Sequence, residues 1–233
     1  MNYDLLLPRE NEAELAKEAK SLGITPIFLY DFKNPKEIQK KREALKALGI
    51  PHYVGICVKP NSMGDIKKAA KLWLYADFLA VIDPGDFVRA SVSNPRIDAV
   101  FRVPSGVGKD SVEYRRSNFN SVLANLARRN GVAYGLDFSY FLNSSGYRRA
   151  KILGREMQNV LLCRRKVPIL MASLASEPYE MRLPENLSAL SRVLGLTHEQ
   201  SKASNSSHYE SIIKRKHKRR SPEYVRPGVE LVK

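Results

Sequence analysis

The chain has 233 residues, with 39 Lys and Arg against 24 Asp and Glu, which gives a formal net charge of +15. A hydrophobic fraction of 43% excludes a chain that is disordered throughout. No apolar run approaches the roughly 18 residues that a membrane span needs, and the amino terminus lacks a signal-peptide pattern. Two cysteines, Cys57 and Cys163, are too few for a disulfide scaffold. We therefore expect a cytoplasmic protein with buried, reduced thiols.

Short apolar segments rich in β-branched and aromatic residues recur along the chain, and each has the length of a buried strand. They lie at residues 3–7, 25–30, 53–58, 78–82, 99–103, 132–138 and 167–171. Segments with helical spacing separate most of them and continue after the last one, at residues 10–22, 36–48, 111–130, 146–162, 185–194 and 197–213. Gly23, Gly49 and Gly131 follow three of these segments, as glycine does at the end of a helix.

This alternation of strand and helix predicts a parallel sheet that is covered on both faces. Seven strands are compatible with an irregular (β/α) barrel or with an open doubly wound sheet. The even repeat and the lack of a Gly-rich phosphate loop after the first strand favour the barrel. We predict one TIM-like α/β barrel over residues 1–213 and a basic, flexible carboxyl-terminal extension over residues 214–233.

The positive charge is divided between this extension and the body of the protein. Residues 214–233 contain eight Lys and Arg and two Glu, so 31 basic and 22 acidic residues remain elsewhere. Nucleic acid, an anionic membrane and an acidic protein are the partner classes open to such a chain. Arg148 and Arg149 lie near a predicted helix start, where the helix dipole disfavours cations. Because guanidinium pairs well with phosphate, we favour nucleic acid, and no lipidation motif supports a membrane.

A glycine-containing segment at residues 105–110 resembles a phosphate-binding loop. Val103 and Asp110 stand where that motif needs Gly and Ser or Thr, so nucleotide binding there is disfavoured.

Three aspartates, Asp31, Asp83 and Asp137, follow or close predicted strands. In a barrel they would converge on the carboxyl-end face and could bind Mg²⁺, whereas their alternative role is helix capping and turn formation. The four histidines form no metal-binding motif, and no arrangement typical of a Ser or Cys nucleophile stands out. We therefore predict no catalytic and no metal-ligating residue, and keep a metal-dependent phosphoesterase using these aspartates as the alternative.

The region from residue 126 to 194 resembles one known family closely. The matching elements are Asn130-Gly131-Val132-Ala133, Gly135-Leu136-Asp137-Phe138-Ser139, Arg149-Ala150, Asn159-Val160, Leu162-Cys163-Arg164-Arg165-Lys166-Val167-Pro168-Ile169, Arg182-Leu183-Pro184 and Asn186-Leu187. In this order and spacing they resemble ribonuclease P protein component three, the archaeal counterpart of a eukaryotic ribonuclease P/MRP subunit.

The resemblance implies an irregular TIM-like barrel related to the polymerase-and-histidinol-phosphatase superfamily, whose metal-dependent members carry strand-end histidines that are absent here. It also implies a non-catalytic subunit that binds the catalytic RNA of ribonuclease P, the endoribonuclease that removes the 5′ leader from precursor tRNA. The expected protein partners are an RRM-like subunit and other holoenzyme proteins. Mg²⁺ is expected with the RNA, and no cofactor is expected on the protein.

The predicted RNA-binding residues are basic and fall into two groups. Those in or beside the matching elements are Arg129, Arg149, Arg165, Arg182 and Lys202. Those chosen for their charge and predicted loop position are Arg89, Arg102, Lys109 and Arg115.

Overall fold

The computed structural model describes residues 1–105, 108–110, 115–221, 224–226 and 229–230. Seven parallel strands form one sheet in the order β1 to β7. Their bounds are Asn2–Leu6, Ile24–Tyr30, Tyr53–Val58, Phe78–Ile82, Ala99–Phe101, Ala133–Asp137 and Ile169–Ala172. Strands that pair in chain order must curve into a barrel, so the predicted TIM-like α/β fold is confirmed and the open doubly wound sheet is wrong.

The barrel closes between β1 and β7 with few backbone contacts. Leu6 and Ala175 form a single parallel bridge, and the Leu7 amide donates to the Ala175 carbonyl at 2.8 Å. Two residues before Leu6 in β1, the Asp4 carboxylate accepts a hydrogen bond from the Ser173 amide at 2.7 Å. A side chain here satisfies a backbone donor that a continuous strand ladder would otherwise pair.

The helices of the described region cover the outside of the barrel and its amino-terminal end. They are α1 (Glu12–Ser21), α2 (Pro35–Leu45), α3 (Met63–Lys71), α4 (Val88–Val92), α5 (Ser121–Asn130), α6 (Phe138–Leu142), α7 (Gly146–Cys163), α8 (Pro184–Val193), α9 (His198–Asn205) and α10 (Ser207–Arg220). A short antiparallel pair follows, β8 (Tyr224–Arg226) and β9 (Val229–Glu230).

Local sequence signals explain several helix ends. The Asn34 side chain accepts a hydrogen bond from the Glu37 amide at 3.0 Å, which caps α2 in front of Pro35. The α5 helix ends at Gly131, whose φ of 68° is the left-handed conformation that glycine adopts easily. The predicted helix at residues 111–130 starts later, at α5, and residues 111–114 lie outside the described residues.

Three helices of the structure have no counterpart in the sequence prediction. The five-residue helices α4 and α6 are too short to show a helical periodicity. The α3 helix has a detectable signal, because Ser62 and Asp65 form a capping box at its start.

Two layers of apolar side chains stabilise the fold. The outer layer lies between the sheet and the helices and contains Cys163, whereas the inner layer fills the barrel and contains Leu5, Phe78 and Cys57. Both cysteines are buried and unpaired, as predicted. Burial raises the pKa of Cys57 to about 12, so this thiol is neutral at physiological pH.

The carboxyl-terminal region differs from the sequence prediction. The predicted helix at residues 197–213 is interrupted at Ser206, whose backbone angles are not helical, and α10 continues to Arg220. The expected boundary between residues 213 and 214 therefore falls inside a helix, and residues 214–220 are not a flexible extension. The physical reason is that their basic side chains meet carboxylates at the amino-terminal end of the barrel.

The α10 helix closes this end of the barrel. The Tyr209 side chain is fully buried, its ring stacks on Tyr3 with centroids 5.9 Å apart, and its hydroxyl donates to the Met171 carbonyl. About two turns later a polar side chain of the helix is buried as well, because the Lys216 amine lies 2.6 Å from an Asp98 oxygen and the Lys216 side chain has no exposed surface. Arg220 similarly pairs with Asp77 at 2.9 Å.

We expect the Lys216→Ala substitution to lower the free energy of unfolding by about 3–5 kcal/mol, because it removes one partner of a buried ion pair. Urea denaturation followed by circular dichroism measures this change. Lys214→Ala is the matched control, since its amine is exposed and pairs with Glu210 at the surface, and it should change stability little. Equal stabilities of the two variants would contradict the buried position of Lys216.

We expect Asp4 to make the stability of the barrel depend on pH. Burial raises the pKa of this carboxyl to about 7, against hydrogen bonds from Ser173 that lower it. The folded state therefore binds the proton more tightly than the unfolded state. The contribution of Asp4 is complete below the pKa of an exposed carboxyl and is lost as the pH rises through the folded-state value.

The Asp4→Asn variant keeps an oxygen for the Ser173 amide and removes the titrating group. The free energy of unfolding of the variant should therefore fall less than that of the parent between pH 5 and about pH 8. Urea titrations across this range compare the two slopes, and parallel slopes would contradict the assignment.

Candidate nucleic-acid interface

An arginine holds together the strand-end carboxylates at the carboxyl end of β4 to β6. The Arg102 guanidinium forms an ion pair with Asp137 and lies 3.5 Å from an Asp83 oxygen. It also donates to the Ser139 hydroxyl at 2.8 Å, and this hydroxyl in turn donates to Asp137 at 2.8 Å. The result is a closed network of one cation, two carboxylates and one hydroxyl.

Burial shapes the electrostatics of this network. Asp137 is almost completely buried, and desolvation raises its pKa, although the adjacent Arg102 charge and its hydrogen bonds oppose the shift. Asp83 and Arg102 both have left-handed backbone conformations, with φ values of 53° and 54°. Two residues in this uncommon conformation turn the chain at the barrel rim and bring their side chains to the same place.

This geometry weakens the phosphoesterase alternative. The Arg102 guanidinium occupies the position between Asp83 and Asp137 that a bound cation would need. Asp31 lies outside the network and pairs with Lys33 instead. Within the part of the chain that the structure describes, no group of three or more His, Cys, Asp or Glu converges in a way that could hold a metal ion.

Most of the predicted RNA-binding residues are exposed. The side chains of five of them form no hydrogen bond or ion pair with another described residue, namely Arg89, Lys109, Arg129, Arg165 and Lys202. A long cation without a protein partner is free to pair with phosphate.

The other four predicted residues have partners in the protein. Arg102 lies in the carboxylate network and is only 19% exposed. The guanidinium groups of Arg115, Arg149 and Arg182 donate to backbone carbonyls, those of Gly154, Ser144 and Tyr179 respectively. Arg115 and Arg149 are nevertheless exposed, so such anchoring fixes their position and leaves other nitrogens for a ligand.

The predicted residues do not converge on one site. Arg129 lies in the last turn of α5 and Arg165 lies two residues after the end of α7, at the end of the barrel where β6 and β7 begin. Arg89, Lys109, Arg149 and Arg182 lie in segments that follow the carboxyl ends of strands, and Lys202 lies on α9. Of the glycine-containing segment at residues 105–110, residues 106 and 107 lie outside the described residues. The free cations therefore form two basic regions at opposite ends of the barrel.

Sequence reasoning missed a second concave site, at the carboxyl ends of β1 to β3. This cleft has a volume of about 840 Å³ and is lined by both apolar and basic side chains. Phe32 and Lys59 follow the ends of β2 and β3, and Lys68 reaches the cleft from α3. For Phe32 and Lys59, the position just after predicted strands is the signal that could have found them.

The comparison with known proteins identifies the class and then the family. The seven-stranded parallel architecture places the chain among TIM-like α/β barrels. The family model for RNase P subunit p30 matches residues 1–221, so the chain belongs to this family. No helix in the described ranges is both long and apolar enough to cross a membrane.

Curated relatives carry the name Ribonuclease P protein component 3. The one from Methanosarcina mazei is 33% identical over 94% of this chain and 88% of its own length. The one from Methanococcoides burtonii is 30% identical over 94% of this chain and 86% of its own. Among solved structures, a chain of archaeal ribonuclease P with mature tRNA, determined by cryo-EM, matches with a TM-score of 0.77 and 21% identity, covering 99% of this chain and 98% of that one.

We expect the Arg102→Ala variant to lose about 3–5 kcal/mol of unfolding free energy, because it leaves the buried Asp137 carboxylate without its cation. The loss should be larger at pH 8 than at pH 5, because a lower pH favours the protonated, neutral form of the unpaired carboxyl. Urea denaturation at both values tests this.

The same network predicts no effect of divalent cations on the parent protein. Its melting temperature should stay constant when Mg²⁺ or Mn²⁺ is added to millimolar concentration, since Arg102 already bridges the carboxylates. A saturable rise in melting temperature would support the phosphoesterase alternative.

Proposed function

We propose that this chain is an RNA-binding protein subunit of ribonuclease P, which supports the catalytic RNA in removing the 5′ leader from precursor tRNA. The observation that carries the proposal is the match of the RNase P subunit p30 family over residues 1–221, almost the whole chain. The names of the curated relatives support it as well, and the matches to this chain cover 88% and 86% of the relatives' own lengths.

The contribution of the protein to this reaction is electrostatic. Each free Lys or Arg that contacts a phosphate releases a condensed counterion, which favours binding and makes it depend on salt. The two basic regions, represented by Arg129 and Arg165 at one end and by Arg89 and Lys109 at the other, let the barrel contact separate segments of RNA. Neutralising these phosphates stabilises the active fold of the RNA and reduces the Mg²⁺ that it needs.

The proposal assigns no catalytic residue to the chain. Asp83 and Asp137, the two strand-end carboxylates that are best placed for chemistry, are held by Arg102 and are not available to ligate a cation. The Mg²⁺ of the reaction belongs with the RNA, and an RRM-like protein subunit is the expected partner on the protein side. The match to a chain in the structure of archaeal ribonuclease P with mature tRNA supports the proposal that the chain works within such a particle.

Reconstitution tests this function directly. The chain alone should not cleave precursor tRNA in Mg²⁺, whereas the chain with its partner subunit should allow the cognate ribonuclease P RNA to cleave at a lower Mg²⁺ concentration. Cleavage at the 5′ junction by the RNA-free protein would overturn the non-catalytic assignment. A failure to change the Mg²⁺ requirement of the RNA would overturn the subunit assignment.

We expect the double variant Arg129→Ala/Arg165→Ala to weaken RNA binding and to reduce the slope of log K against log salt by about 1.4–1.8, the loss of two phosphate contacts. Filter binding from about 50 to 300 mM KCl measures the slope.

The matched control is Lys17→Ala/Lys40→Ala, which removes the same charge from exposed positions on α1 and α2. If the two double variants lose the same slope, net charge alone explains binding, and Arg129 and Arg165 are not contacts.

A further inference from the structure

The cleft at the carboxyl ends of β1 to β3 has the size and chemistry of a ligand site. Its volume of about 840 Å³ lies within the range of small-molecule pockets, roughly 300–1,000 Å³. It is separate from the Arg102 network, which lies at the ends of β4 to β6. None of the nine predicted RNA-binding residues lines it.

One wall of the cleft is aromatic and apolar. The rings of Tyr30 and Phe32 lie 5.2 Å apart, and Ile56, Val58 and Leu72 continue the apolar surface. The Tyr30 hydroxyl donates a hydrogen bond to Glu12 at 3.0 Å, so this polar group already has a partner in the protein. Lys41 lies 4.9 Å from the centre of the same ring, which fixes Tyr30 further. Phe32 is partly exposed and is thus the ring that can receive a ligand.

The rim of the cleft carries exposed cations. Arg9, Lys59 and Lys68 are exposed, and none of them forms an ion pair with another residue in the described ranges. The two acidic residues of the lining are already engaged. Asp31 pairs with Lys33, and Asp65 accepts hydrogen bonds from the Asn61 and Ser62 amides in the capping box of α3. Asp65 keeps its charge, but the lining has four basic residues against two acidic ones, so its net charge is positive.

We propose that this cleft binds one unpaired nucleotide of an RNA, with the base against Phe32 and the apolar wall and the flanking phosphates at Lys59, Lys68 and Arg9. An aromatic ring stacks on any base, and a cation next to it pairs with the phosphate of the same nucleotide. An apolar peptide would leave three cations without partners, whereas a simple anion would not use the aromatic wall. The inference rests on the proposed function and adds a site of base stacking to its phosphate contacts.

The test uses the reconstituted particle of cognate ribonuclease P RNA, partner subunit and full-length chain. Irradiation at 254 nm followed by mass spectrometry should give nucleotide adducts on peptides containing Phe32 or Cys57, which both line the cleft. In RNA-binding titrations, Phe32→Leu should weaken affinity by about 5- to 100-fold, because it keeps an apolar side chain but loses the stacking face.

Lys68→Ala has a matched control on the same helix. Lys67 is also exposed and forms no ion pair with another described residue, but it does not line the cleft, so Lys67→Ala should bind RNA like the parent while Lys68→Ala binds more weakly. Tyr179→Ala controls for Phe32, because this side chain is 75% exposed and lies outside the cleft. Circular dichroism melts of all four variants confirm that each is folded before affinities are compared.

The outcomes separate this inference from the proposed function. If the cleft variants bind RNA like the parent and no adduct forms in the cleft, the inference fails while the parent still binds RNA. If the parent does not bind the cognate RNA, the proposed function fails. Titration with AMP tests whether the cleft binds a free nucleotide instead of a nucleotide of an RNA. Saturable AMP binding that Phe32→Leu abolishes and that RNA does not compete with would make the cleft a small-molecule site and overturn the inference.

Discussion

The buried ion pair between Lys216 and Asp98 is the interaction on which the amino-terminal end of the barrel depends. One Asp98 oxygen accepts hydrogen bonds from both the Lys216 amine and the Leu79 amide, so a single carboxylate links α10 to the start of β4. Asp77 repeats the arrangement one strand earlier, where it accepts the Val54 amide and pairs with Arg220. Because these carboxylates directly precede β4 and β5, α10 is held at the amino ends of the strands.

This arrangement reduces the positive charge that is available to bind a polyanion. The run from residue 214 to 220 contributes much of the formal excess, yet part of it neutralises carboxylates at the end of the barrel. Charge that is used inside the protein is not available to a polyanion. The cations best able to meet RNA include those whose side chains pair with no other described residue, such as Arg129, Arg165 and Lys59, and they lie on the body of the barrel.

The fold was predictable from the sequence because continuous apolar strands and amphipathic helices alternate with clear stops, such as Gly131 after α5. The position of α10 was not, because a run of Lys and Arg has no apolar periodicity and its partners, Asp77 and Asp98, are far away in the sequence. For the same reason the role of Arg102 was missed: its charge was evident, but its pairing with Asp137 depends on two strands meeting at one rim. The exposure of Arg89 or Arg165 and the strand-end position of Phe32 could be predicted, whereas the cleft itself could not, since it exists only between three strands.

The Arg102 network also gives the rim of the barrel a permanent composition. Although burial opposes it, the charges of Asp137 and Asp83 raise the pKa of the Arg102 guanidinium above its usual value, so it remains a cation at every pH at which RNA is folded. Since this cation is part of the chain, the carboxyl-end face is complete as soon as the protein has folded and needs no loading step. The charge of this rim at assembly is therefore set by the chain itself and does not vary with the supply of metal ions.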